Sequence, residues 1–351
     1  MASRRAFLAG LIATSALPRA TWAEAGGAAF LSAARAPDGA YHLCGLTARG
    51  EIAFTLPLPE RGHAAAAHPH LAQAVAFARR PGTYALVIDC VSGDALARLE
   101  TPQGRHFYGH GTFSADGTRL FTTENDYDAG LGVIGIWDAE NGYARLGEFA
   151  SGGTGPHDIQ RLPDGKTLVV ANGGIETHPD TGRLKLNIPT MRPNLTYLSA
   201  DGTLLERVEL EPAQRKNSIR HLAVDSSGTV AFAMQWQGDD APELPLLGLH
   251  SRETGQLRFA PAASIPQMQG YLGSVAITPD GGALATTSPR SARLQVFAGT
   301  ELTREAALED VCGVAATKGG FIATSGTGLV VPPEGAPIRH PLAWDNHLIA
   351  I

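Results

Sequence analysis

Short apolar runs separated by polar turns recur along the chain, and they come in pairs. HGTFSADGTRLFTTEND from His110, HDIQRLPDGKTLVVANGG from His157, HLAVDSSGTVAFAMQW from His221 and SVAITPDGGALATTSP from Ser274 each hold two such runs around a turn rich in Asp and Gly. Asp-Gly and Gly-Gly between apolar runs mark antiparallel hairpins, because the turn needs a positive φ that Gly accepts cheaply. Two weaker strands follow each hairpin, such as GVIGIWDA and ARLGEFAS, or ARLQVFAG and LTREAALE. Four short strands per unit, repeating every roughly 35 to 65 residues, predict an all-β fold of the β-propeller kind.

The register of the units gives their number. Five open on a histidine: Arg-Gly-His63, Tyr-Gly-His110, Gly-Pro-His157, Ile-Arg-His221 and Asp-Asn-His347. Ser274 of GYLGSVAIT and Gly313 of DVCGVAAT hold the same place in two more, which predicts a seven-bladed β-propeller. The terminal segment Asp345 to Ile351 is a first strand with no second. The early segment AAFLSAARAPDGAYHLCGLTARGEIAFTLPLP supplies three strands without a first. The C-terminal strand is therefore expected to complete the N-terminal blade, pairing edges otherwise left open, and residues 26–351 to form one domain.

Composition fits a turn-rich β protein, with 41 Gly, 23 Pro and only 18% charged residues. The formal net charge of −6 disfavours nucleic acid and anionic membrane, both of which need a basic face. Cys44, Cys90 and Cys312 show no CxxC spacing, so no disulfide framework is expected. The start, Ser3-Arg4-Arg5-Ala6-Phe7-Leu8, leads into an apolar stretch to about Pro18 and small residues up to Ala23 or Ala25. Residues 1–25 thus read as a signal peptide, too short for a membrane span. The paired arginines match the twin-arginine export signal and predict a periplasmic protein. That pathway moves folded proteins, which raises the expectation of a bound cofactor. No later apolar segment is long enough to cross a membrane.

Strand order places the candidate chemistry. In a propeller the first strand of each blade lines the central channel, and the connection between second and third strands returns to the face where the first begins. His63, His110, His157, His221 and His347 are therefore expected around the channel mouth. Polar connections are expected to surround them, carrying Glu124, Asp126, Asn172, Glu176, His178, Arg183, Lys185, Trp236 and Arg290. The segment from Gly173 to Pro193 is the longest insertion, and long loops in compact folds are usually functional, so it is the expected gate. Converging imidazoles suit iron, copper or zinc over magnesium or calcium, with Asp158 placed to orient a ring from behind.

The alternative is that each histidine bonds the neighbouring blade and is structural. His106 and His178 are weaker candidates, and His42, His68, His70, His250 and His340 read as surface or satisfied histidines. Cys312 reads as a small buried residue. GxSxG, Walker and HExxH motifs are absent, and the Gly-rich ANGG leads into a loop rather than a helix. Glu124, Asp126 and Glu176 are the carboxylates available as acid or base.

SRRAFL, GPHDI, VANGGIETHPDTGRLKLNIPTM, SIRHLAV, the TSPR turn and the terminal WDNHL together resemble domain of unknown function family 1513. The resemblance covers nearly the whole chain after the signal. It implies a twin-arginine exported, seven-bladed propeller in the periplasm. Members are commonly encoded beside imelysin-like periplasmic proteins and di-haem peroxidase-like proteins, in loci thought to serve iron acquisition. The implied role is metal uptake, with an imelysin-like or di-haem cytochrome-like partner, and the resemblance supplies no catalytic residues. The architecture is also similar to nitrous oxide reductase, whose propeller channel carries a histidine-ligated copper cluster, although Ser274 and Gly313 depart from such a ring. Three functions stay open: a metal-binding accessory protein, a metal-dependent oxidoreductase or lactonase-like hydrolase, and a non-catalytic interaction scaffold.

Overall fold

The apolar pattern changes from the inside of each unit to the outside. Thr167–Asn172 and Leu284–Ser288 are buried at every position, whereas Ala144–Ala150 alternates between exposed and half-buried. A strand covered on both faces needs no polar side, while one at the rim shows the period of two that a half-covered sheet dictates. The computed structural model describes residues 20–78, 82–182 and 184–351. Most of the proposed signal, residues 1–19, lies outside these, as does Arg183.

Seven antiparallel sheets follow one another along the chain, each ordered from the inner strand outward. The fold is a seven-bladed β-propeller. The inner strands of blades 2 to 7 are Gly62–Ala67, Arg105–Phe113, Pro156–Arg161, Asn217–Val224, Ser274–Ile277 and Val311–Thr317. Blade 1 is closed as expected, with one difference: its inner strand is split. Ala343–Trp344 and Ile349–Ala350 both pair with Phe30–Arg35, leaving residues 345–348 out of the ladder between them.

Hairpin tips follow the predicted chemistry. Gly117, Gly165, Gly202 and Gly281 hold positive φ, each after an aspartate. The Asp164 carboxylate, for example, accepts from the backbone N–H groups of Lys166 and Thr167. Blades pack on one another through fully buried aromatics, among them Phe77, Phe121, Phe232 and Phe297. Residues 20–25 dock on blade 2: the Trp22 indole N–H donates to His68 O (2.8 Å), and Ala72 N–H to Ala20 O (2.8 Å). Among the described residues no helix is long and apolar enough to cross a membrane.

Candidate metal centre

The recurring histidine coincides with a defect in the β-ladder. The pairing register slips between Gly62 and Ala65, between Phe107 and Gly111, between Pro156 and Asp158, and between Ile219 and His221. His63, His110 and His157 are residues that the slip leaves over, His221 is the first residue after it, and His347 lies in the break of blade 1. A bulge bends its strand and re-aims a side chain. Hydroxyls on second strands hold the displaced backbone: Ser32 Oγ donates to His347 O (2.8 Å) and Thr123 Oγ1 to His110 O (3.2 Å).

All five imidazoles meet. Their centroids form a closed circuit, with 4.5 Å from His347 to His63, 5.1 Å to His110, 4.8 Å to His157, 4.9 Å to His221 and 4.8 Å back to His347. His110 is drawn inward and touches the other four, lying 4.7 Å from His347 and 5.9 Å from His221. His110, His157, His221 and His347 are buried, and His63 is half-buried.

Of the two positions without histidine, Gly313 has no room for a side chain. A Cβ on Gly313 already sits 2.9 Å from the backbone N of Leu348 and 2.6 Å from Thr324 Oγ1. The terminal segment occupies the space that a larger side chain in blade 7 would need.

Two sets of three ring nitrogens lie within 4.8 Å of one another, His63 with His110 and His347, and His110 with His157 and His221. Ligands at bonds of about 2.1 Å stand no more than about 4.2 Å apart across an ion, so each set needs only a small inward movement. Nδ1 of His110 lies 3.2 Å from Oδ1 of Asp158. That contact fixes the tautomer and leaves Nε2, which is buried without a hydrogen-bond partner, as the ligand atom. With one free nitrogen His110 cannot bridge two ions, so the two sets are alternatives for a single ion. Nδ1 of His157 and Nδ1 of His221 are also buried without hydrogen-bond partners. Buried unpaired nitrogens cost free energy unless something coordinates them, and an imidazole donor set fits iron, copper or zinc.

Electrostatics keep His157 and His221 neutral. Burial pushes His157 well below its ordinary value, helped by Arg220 and by the neighbouring imidazoles. Burial likewise takes His221 down to about 3, with His110 adding to the effect and Asp158 opposing it. Burial alone would raise the Asp158 carboxyl, but the His110 contact and the Leu222 N–H hold it below the usual range. Asp158 also bonds Ile159 N–H (2.8 Å) and Leu222 N–H (2.9 Å), tying blades 3, 4 and 5 together behind the site. A cavity of about 320 Å³ runs down the channel from His110, His221 and His347, with Asp158, Gln160 and Ser274 on its wall.

The connecting loops behave differently from the histidines. Glu124 is fully buried in a bidentate pair with Arg145 (2.8 Å to each oxygen), inside blade 3. Asp126 pairs with Arg105 (3.2 Å). Asn172 is locked among Ser151, Asn194 and Thr196. These three are held by their own blades, so the structure gives them no part in the imidazole circuit. The Glu176 backbone N–H donates to Asn187 Oδ1, and His178 stands edge-on to Tyr127 at 5.0 Å beside Asp128. Trp236 donates to Asp240 O, and Arg290 lies over Tyr271 at 4.5 Å. The long insertion straddles three blades, since Thr177 O accepts from Asn125 of blade 3 and Lys185 reaches Gln237 of blade 5.

His68, His250 and His340 are satisfied, by Gly117 O, by the Tyr197 hydroxyl and by Gly50 O. His106 sits 3.1 Å from Asn125 Nδ2. All three cysteines are free and buried, and burial pushes the Cys312 thiol up to about 12. Arg220 and Gly109 also belong to the site, and their signal in the sequence was their place directly before His221 and His110.

The bulged strands thus define a class: a closed seven-bladed propeller with a buried histidine cluster on its axis. The chain belongs to the family described as "Protein of unknown function (DUF1513)", whose model matches residues 56–351. No curated protein matches it. Among solved structures it is similar to Kuenenia stuttgartiensis hydrazine synthase, with 13% identity and a TM-score of 0.62 over 90% of this chain and 96% of that one. At that identity the likeness shows the fold alone.

Proposed function

We propose that this chain is a periplasmic protein, exported by the twin-arginine pathway, that holds one transition-metal ion among His63, His110, His157, His221 and His347. Its role is that of an accessory factor in acquiring iron or another transition metal, alongside an imelysin-like or di-haem cytochrome-like partner. The observation that carries this reading is the convergence of five imidazoles from five blades, with His110 Nε2, His157 Nδ1 and His221 Nδ1 buried and bonded to no protein group. Histidines serving the blade interfaces would point apart and bond neighbouring strands, as His68 and His340 do. Metal analysis of protein exported in its native host tests the reading. Stoichiometric iron, copper or zinc is expected, together with a rise in thermal stability when metal is returned to stripped protein. Absence of both overturns it.

A second reading, a metal-dependent oxidoreductase or lactonase-like hydrolase, is favoured by the cavity that reaches His110, His221 and His347 with Asp158 on its wall. A carboxylate beside a metal-ligating imidazole and an open channel is the arrangement that general base chemistry requires. Turnover of lactone or redox substrates by metal-loaded protein, lost in His110→Ala, would favour it over an accessory role.

A further inference from the structure

We propose that the histidine centre is entered from the hairpin face of the propeller, through an apolar channel, and that the ligand admitted is a small uncharged molecule, the size of dioxygen or nitric oxide, which coordinates the ion. The inference rests on the reading that the histidines hold a metal, and adds to it the side of entry and the class of ligand.

The bore of the propeller is filled at one end and hollow at the other. Five imidazoles close the end where the inner strands begin, and four of them are buried. Toward the hairpins the strands open: Pro156–Arg161, Asn217–Val224 and Val311–Thr317 each end on two half-buried residues. Two cavities of about 320 and 310 Å³ occupy this half of the bore. His110, Asp158, Gln160, Ile349 and Ala350 line both, so the terminal strand runs between two lobes that share the histidine end. One lobe descends by Ala223, Val224 and Ile277 to Pro279, in the hairpin tip of blade 6. The other descends by Ala66, Ala67 and Thr112 to Pro69, in the tip of blade 2. Both prolines are exposed, so each lobe opens on that face.

The chemistry of the walls selects the ligand. Apart from histidine, the charged side chains on them are Asp158 and Arg161, and each is engaged. Asp158 faces His110 and accepts from the Leu222 N–H, while Arg161 Nε donates to Phe113 O (3.1 Å). Alanine, valine and isoleucine dominate the rest. Such a wall gives an ion nothing in exchange for its hydration, and burying an unpaired charge is costly. A diatomic uncharged molecule loses little, and volumes of this size stand at the low end for ligand pockets. His110 belongs to both sets of converging nitrogens and to both walls. Whichever set holds the ion, the lobes therefore reach one of its ligands, and three histidines leave a coordination position for a further donor.

Nitric oxide added to iron(II)-loaded protein under argon tests the channel, read by the electron paramagnetic resonance of the iron nitrosyl and by stopped-flow absorbance. Coordination here is an addition to the ion and needs no electron acceptor. A nitrosyl is expected in the wild type. Thr112→Phe/Ala316→Phe places one ring in each lobe, at half-buried wall positions that touch no proposed metal ligand role. This variant should retain iron but form the nitrosyl about tenfold or more slowly, the scale on which the surroundings of a metal site act. Thr112→Leu/Ala316→Leu, a smaller change, should slow it less and keeps the test open if the rings prevent folding. An iron-retaining variant with the wild-type rate overturns the route. Azide with copper(II)-loaded protein is the charged probe: above neutral pH no charge-transfer band is expected, and a band at azide concentrations that titrate a free imidazole–copper complex overturns the restriction to uncharged ligands. Wild type that takes up no iron overturns the metal-centre reading and this inference with it. Wild type that holds iron but forms no nitrosyl overturns this inference alone.

Discussion

Asp158 Oδ1 and His110 Nδ1 lie 3.2 Å apart across the boundary between blades 4 and 3, and this contact sets the chemistry of the cluster. It aims the one free nitrogen of His110 at the other imidazoles. A carboxylate behind a ligating histidine fixes its tautomer and raises its basicity, and its loss typically costs about 10- to 100-fold in metal affinity. Asp158→Asn keeps an oxygen for the Leu222 N–H, so the blades should stay joined while affinity falls in that range. Competition against a chelating dye reads the change; wild-type affinity in the variant would show that Asp158 does not orient the ligand.

His110 belongs to both sets of converging nitrogens, whereas His63 and His157 belong to one each. His110→Ala should therefore abolish stoichiometric metal binding, while His63→Ala and His157→Ala weaken it and leave the other set able to bind. Elemental analysis of the three purified variants measures this. Equal losses from all three would mean that the five rings act as a single indivisible set.

Blade number, the closing strand and the five histidines were legible in the sequence because they repeat in register, and Asp158 because it follows His157. The bulges were not legible: a slipped pairing depends on which residue of the partner strand bonds which, and the composition around His110 or His157 does not encode it. Nor was the blocked position at Gly313, since Leu348 reaches it only after the ring closes. The pairing of Glu124 was not legible for a related reason. Glu124 looks available until Arg145, 21 residues away, is folded beside it.

That pair yields a control. Removing one member of a buried ion pair leaves the other uncompensated and typically costs about 3–5 kcal/mol. Arg145→Ala should thus lower stability by about that much in denaturant unfolding, because Glu124 is fully buried, yet leave metal affinity per folded molecule unchanged. A change in affinity would connect Glu124 to the histidines after all.

Gly109 precedes His110 with φ +100°, and a Cβ there would fall 2.5 Å from His63 Cδ2. Gly109→Ala therefore adds backbone strain of about 1–3 kcal/mol and drives the His63 ring from its place. Gly142, at φ +66° with nothing near its Cβ position, supplies the comparison. Gly142→Ala should show strain alone, with metal affinity intact, whereas Gly109→Ala should lose both stability and affinity. Equal behaviour of the two in metal titration would remove the packing argument.

Acid should unfold the metal-free protein earlier than the metal-loaded one. The His221 imidazole is held at about 3, against 6.5 ordinarily, and His157 is also depressed, in both cases chiefly by burial. Between pH 6.5 and 3 the unfolded chain binds a proton on His221 that the native state refuses, so stability is full above 6.5 and falls as pH drops through this window. Asp158, depressed from 3.8, adds a loss of the same sign at the acid end. Bound metal competes with those protons and should shift the midpoint of unfolding to lower pH. His221→Gln, which keeps a polar side chain but cannot titrate, should flatten the metal-free curve between pH 6.5 and 3. An unchanged slope in that variant would place the acid sensitivity elsewhere in the chain.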